Sequence, residues 1–199
     1  MNNDFRSIFF NTGIIGLSQV ILIIVTIARS KISAVLLGPE GMGIIYLISN
    51  SLGIIGTITN LGFGTIAIKN ISKSAAKENS SLIIQHYRVI SLMTGMFGLI
   101  LTILCSYFLS IYTFKSANYV FEFILLSTAV LLAQMNTGYF VAIQGKRQFK
   151  SLAFSNIIAG ILSLIVCSII MVLFQTKGIL SIIFLTSFIP TIVSYYFFK

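Results

Sequence analysis

Charge is what this sequence has least of. Charged residues make up 9% of 199, acids number 4, and there is a single histidine. That histidine, His86 in "QHYR", has no second histidine or acid at metal-ligand or catalytic spacing. The two cysteines, Cys105 and Cys167, lie in separate apolar runs without CxxC spacing, which argues against a zinc site and a disulfide framework. No GxxxxGK[ST] loop is present to cradle a nucleotide phosphate, and no nucleophile–base constellation appears. The sequence therefore calls for no catalytic residues, metal or cofactor, and the expectation is a protein that is not an enzyme. Its formal charge of +9 would suit a nucleic-acid binder. Here, however, the basic residues sit in short clusters between apolar runs instead of forming one face with stacking aromatics, so nucleic acid is not an expected partner.

What is abundant is hydrocarbon. Hydrophobic residues reach 57% and mean hydropathy is +1.02, far from a domain with a polar shell. Six runs approach the roughly 20 residues that a bilayer crossing needs: Ile8–Leu37, Gly43–Leu61, Ile84–Tyr112, Tyr119–Ile143, Leu152–Phe174 and Ile179–Phe198. The first outruns signal-peptide length and has no small-x-small exit before Arg29, so it reads as retained. The expected fold is all-α, a polytopic membrane protein of six transmembrane helices in one domain, residues 1–199. Connections are short or polar: "GPEG" at Gly38–Gly41, "KNISKSAAKENSS" at Lys69–Ser81, "TFKSAN" at Thr113–Asn118, "QGKRQFK" at Gln144–Lys150 and "QTKG" at Gln175–Gly178.

With the N-terminus in the cytoplasm, that side receives Arg6, Lys69, Lys73, Lys77, Arg88, Lys146, Arg147, Lys150 and Lys199, and the other only Lys115 and Lys177. The positive-inside rule thus expects both termini in the cytoplasm. Pro190 falls inside the sixth run, where it removes a backbone hydrogen bond. No outer connection has room for a catalytic or ligand-binding domain.

Two cations interrupt the first run. At about 100° per residue, Asn11, Thr12, Ser18, Gln19, Thr26, Arg29, Ser30 and Ser33 share an arc of about 120°. Lys31 projects about 200° from Arg29 and is expected to snorkel or pack. An arginine at membrane depth costs at least about 2.5 kcal/mol and is tolerated where it faces a polar cavity or a partner. The bland alternative ends the crossing near Ala28 and lets Arg29 snorkel to headgroups. In the second run Tyr46, Ser49, Asn50, Gly53, Thr57 and Asn60 fall within about 100°. The two polar faces suit a shared hydrated cavity or a dry hydrogen-bonded interface. In the fourth run Gln134, Thr137 and Gln144 share a loose face, and Glu122 is the one acid near a span, a candidate for carrying a coupling proton or else an interfacial carboxylate. Asn156, Gly160, Ser163 and Cys167 form a small-residue stripe suited to close helix contact.

The run "ARSKISAVLLGPEGMGIIYLISNSLGIIGTITNLGFGTIAIKNISK", Ala28–Lys73, resembles the N-terminal signature of bacterial polysaccharide flippases, the O-antigen and exopolysaccharide translocases of the MATE/MOP superfamily. "AIQGKRQFKSLAFSNIIAGILSLI", Ala142–Ile165, is similar to their fourth-to-fifth helix junction. The resemblance implies translocation of an undecaprenyl-pyrophosphate-linked oligosaccharide across the bacterial inner membrane, for surface polysaccharide or lipopolysaccharide biosynthesis. Arg29 would then pair with the pyrophosphate. Gln19, Ser33, Asn50, Thr57, Asn60 and Gln134 are the further candidate substrate contacts, and Glu122 the coupling candidate. Related lipid II flippases carry an arginine nearer the N-terminus, where this chain has Ile23, which favours a polysaccharide repeat unit. Family members have two six-helix lobes, whereas this chain spans one. The expectation is a truncated N-terminal lobe, with a homodimer as the other route to a second wall. The competing readings are a multidrug or cation-coupled exporter of the same superfamily, a membrane enzyme of the pathway and a non-transporting assembly subunit.

Overall fold

A computed structural model describes the backbone of residues 2–74 and 80–199 and the side chains of residues 13–73 and 82–199. Arg6, Asn11, Thr12 and Lys77, used in the sequence reading, lie outside the described side chains. The described chain is helical throughout: α1 (Asn2–Asn60), α2 (Phe63–Ser74), α3 (Ser80–Phe114), α4 (Val120–Gly145), α5 (Phe149–Phe174) and α6 (Ile179–Phe198). Short 3₁₀ turns, Ala117–Tyr119 and Gln175–Gly178, precede α4 and α6.

Among the described residues four helical stretches are long and apolar enough to cross a membrane: Gly13–Asn60, Leu82–Phe114, Ala117–Gly145 and Phe149–Phe198. Large apolar side chains on their outer surfaces, such as Leu17, Ile27, Leu104, Phe108 and Leu173, are more than half exposed. A surface of that kind is stable against lipid and not against water.

The first stretch contains 48 residues, which as a straight helix would be about 72 Å long, more than twice the roughly 30 Å hydrocarbon core. It is broken at Gly38, whose φ of 68° and ψ of −176° lie in a region essentially reserved for glycine. Pro39 explains the position: a residue before proline is driven out of the α region, and proline itself is well suited to begin the next helix. The expected four-residue turn over Gly38–Gly41 is therefore a single-residue break, since Pro39 and Glu40 are already helical. Ser30 Oγ and Tyr46 Oη stand 3.3 Å apart, which shows that the second arm folds back on the first. A straight helix would separate these residues by about 24 Å.

A second difference follows Asn60. Leu61 and Gly62 take positive φ (46° and 73°), and the chain then forms α2, whose second half, from Lys69, lies in the stretch the sequence suggested as a polar connection. Phe63, Ala67 and Ile71, spaced four apart, are buried, while Lys69, Asn70 and Lys73 are exposed. This amphipathic helix docks beneath the bundle with Ile84, Val141 and Ala142. A Cβ added to Gly145 would come within 2.5 Å of Ile71 Cγ2, so the end of α4 admits α2 only because residue 145 has no side chain.

The bundle core is built by the second arm of α1 with α4 and α6, where Ile48, Leu52, Ile55, Phe123, Leu126, Val130, Ile179 and Ile183 are buried together. The first arm packs on α5 at the small-residue stripe. Ser163 and Cys167 are buried, and a Cβ on Gly160 would meet Leu22 Cδ2 at 2.8 Å. The helix-contact reading of that stripe is what the structure shows. Pro190 lies inside α6, as expected.

Candidate functional site

The polar stripe of the first arm splits along its length. Ser18 and Ser33, on one edge, are buried, whereas Gln19 and Thr26, on the other, are exposed. Arg29 falls between Ser18 and Ser33 around the helix and is half-buried, and its Nη2 approaches Cys167 Sγ at 3.8 Å. Thiol sulfur is a weak acceptor, so this contact orients the guanidinium without neutralising it. Among the described residues no carboxylate pairs with Arg29. Ser33 supports it from below: its hydroxyl donates to the Arg29 carbonyl at 2.9 Å and lies 3.4 Å from Met171 Sδ.

Arg29 opens into a cleft of 250 Å³ shared with Thr26, Ser30, Tyr46, Ser49 and Thr186. A further 200 Å³ continues from Ser49 and Thr186 past Gly53, Gly56 and Ser187. The two clefts share Ser49 and Thr186 and form one groove, with a cation at one end and hydroxyls set among apolar side chains. It is walled by the arms of α1, by α6 and, further along, by Ala129, Val130 and Ala133 of α4. Pro190 has no N–H, so the Thr186 carbonyl four residues earlier loses its helical donor and remains an acceptor beside the groove.

The second polar stripe stays uncovered. Tyr46, Ser49, Asn50, Gly53 and Thr57 are all exposed, and no described helix packs over them. Of the two readings the sequence left open, a dry interface between the two arms does not occur along this stripe. Among the described residues the one side-chain hydrogen bond between the arms is Ser30 with Tyr46, at the rim of the cleft.

The other expected site residues fall in different places. Gln19 is exposed on the first arm, and Asn50 and Thr57 belong to the open stripe without lining the cleft. Asn60 is half-buried at the end of the second arm, with its Oδ1 unpartnered. Gln134 is not on the groove. It is 4% exposed, and its Nε2 donates to the Gly56 carbonyl at 2.7 Å and Thr59 Oγ1 at 3.3 Å, tying α4 to the wall from behind. Glu122 is half-buried with Oε2 enclosed and unpartnered. At about 100° per residue it lies on the same side of α4 as Ala129 and Ala133, which line the groove, and about 10 Å further along. Lys31 is exposed, apart from Arg29. His86 is exposed and engages the Leu82 carbonyl at 2.7 Å.

Sequence reasoning missed α6 altogether as a groove wall. Thr186 and Ser187, adjacent polar residues one turn before Pro190, were the available signal.

Helices of this length, lipid-facing on the outside and carrying one polar groove, define an integral membrane protein. The family model for polysaccharide biosynthesis proteins matches residues 8–199, and the chain belongs to that family. Neither the curated proteins nor the solved structures match it.

Proposed function

We propose that this chain forms one wall of a polysaccharide-lipid flippase, binding the pyrophosphate of an undecaprenyl-linked oligosaccharide at Arg29 and carrying its sugars along the groove between the arms of α1 and α6. The observation that carries this reading is an arginine with no carboxylate counter-ion among the described residues, set in a cleft that bears hydroxyls on a helix otherwise coated with hydrocarbon. A guanidinium presents two parallel N–H donors that match two phosphate oxygens. The hydroxyls of Thr26, Ser30, Tyr46 and Ser49, and the Thr186 carbonyl to which Pro190 cannot donate, offer sugar hydroxyls both donors and acceptors. The polyprenyl tail stays in lipid.

In this reading the break at Gly38 and the turn Gln175–Gly178 each divide a long stretch into two crossings, giving the six-helix lobe of a MATE/MOP-type transporter with both termini in the cytoplasm of the bacterial inner membrane. The uncovered stripe from Tyr46 to Thr57 supports a second wall opposite, supplied by another lobe or another copy. Rocking of the two walls would expose the head group to each side in turn. Glu122, on the same side of α4, is the coupling candidate in this reading.

The test is translocation of a fluorescent undecaprenyl-pyrophosphate oligosaccharide in proteoliposomes, with wild type against Arg29→Ala. Loss in the variant is expected. Transport of hydrophobic cations without glycolipid would favour a drug exporter, and binding without movement of either would favour an assembly subunit.

A further inference from the structure

A second arginine occupies a built environment on another side of the bundle. Arg88 of α3 places its guanidinium carbon 5.2 Å from the centre of the Tyr139 ring and 4.8 Å from that of Phe198. Stacking on ring faces uses the flat faces of the guanidinium and leaves its N–H edges free. No side chain hydrogen-bonds those edges among the described residues. They border a cleft of 330 Å³ that also contains Gln85, Ser91 and Met135. Lys146 stands close by, its Nζ 5.1 Å from the same Phe198 ring, and Lys69 and Lys73 of α2 lie at this end of the bundle.

The same side of α4 carries a second, apolar cavity. Along α4, Met135 and Tyr139 line it, while Thr128 and Leu132 line an open apolar groove of 870 Å³ against Ser181, Phe184 and Phe188 of α6. These four α4 positions fall within about 60° of one another, and the direction is about 120° from Ala129 and Ala133 of the Arg29 groove. From Tyr139 to Leu125 the path runs about 21 Å, enough for the roughly 15 Å that one leaflet offers an acyl chain. A cationic end with free donors, in line along α4 with an apolar groove, matches the shape and charge of a phospholipid.

We propose that this face holds one anionic membrane phospholipid, its phosphate on Arg88 and Gln85 and one acyl chain in the α4–α6 groove. The site is separate from the Arg29 groove and does not depend on the transport reading. Charge complementarity selects an anionic over a zwitterionic head group, because among the described residues the basic side chains around Arg88 have no acid beside them to pair with a choline.

Native mass spectrometry of the full chain in detergent, titrated with phosphatidylglycerol or phosphatidylcholine of identical acyl chains, tests this. Wild type should retain phosphatidylglycerol roughly fivefold to tenfold better. Arg88→Gln should remove that preference, and Lys177→Gln, at the opposite end, should leave it intact. Equal retention of the two lipids, an unchanged Arg88→Gln variant or equal loss in Lys177→Gln would overturn the proposal. Thr128→Trp, exposed in the groove about 17 Å from Tyr139 along α4, does not touch Arg88 and reads the same site should Arg88→Gln fail to fold. Weakened retention there supports the seat of the acyl chain, and unchanged retention refutes it.

Discussion

Replacing Arg29 separates function from stability. In the fold its side chain makes one weak contact, Nη2 with Cys167 Sγ at 3.8 Å, and Ser33 is held by the Arg29 backbone, which alanine retains. Arg29→Ala also removes a charge that costs at least about 2.5 kcal/mol to keep at membrane depth. Unfolding in detergent should therefore move little, or towards greater stability. Against a bound pyrophosphate the same change removes a bidentate charge-assisted pair worth about 3 kcal/mol, roughly a 150-fold loss of affinity. Arg29→Lys keeps the charge with a single donor direction and should recover about half of that free energy, leaving roughly a tenfold deficit. The assay is equilibrium binding of an undecaprenyl-pyrophosphate oligosaccharide in nanodiscs, with parallel unfolding curves. Wild-type affinity in a folded Arg29→Ala protein, or a loss of binding that tracks a loss of stability, would refute the reasoning.

Further expectations concern the parts that build the groove. Gly38→Ala meets no neighbouring atom but must hold a glycine-only backbone, so it should cost about 1–3 kcal/mol in an unfolding titration; a neutral result would mean that the break is not held at Gly38. Gln134→Leu loses two interhelical hydrogen bonds of about 0.6 kcal/mol each and also removes the unpartnered Oε1, so it should stay within about 1 kcal/mol of wild type, while Gln134→Ala leaves a cavity and costs about 2 kcal/mol or more. A Cβ on Gly138 would collide with the Ser91 side chain, so Gly138→Ala should destabilise the α3–α4 contact by about 1–3 kcal/mol, with recovery in the Gly138→Ala/Ser91→Gly double variant. In a cysteine-free background, Ser49→Cys should react with a water-soluble maleimide far faster than Ile54→Cys on the lipid-facing side of the same arm; equal protection would argue against a hydrated groove.

Much of this was legible because lipid imposes simple rules. Runs of apolar residues determine where helices lie, since every backbone polar group must be satisfied inside the membrane. The 3.6-residue repeat determined that Arg29 shares a side with Ser18, Thr26 and Ser33 while Lys31 does not. The Gly38–Pro39 pair determined where the first long helix must break. Periodicity reports which residues share a side, however, and never which helix stands opposite. Only the tertiary structure showed that Gln134 is spent on the Gly56 carbonyl, that Thr186 and Ser187 complete the groove, and that a docked helix, α2, runs into the expected polar connection. It alone brought Arg88 against Phe198, 110 positions later, because that contact depends on α4 and α6 packing side by side, which the composition of neither helix contains.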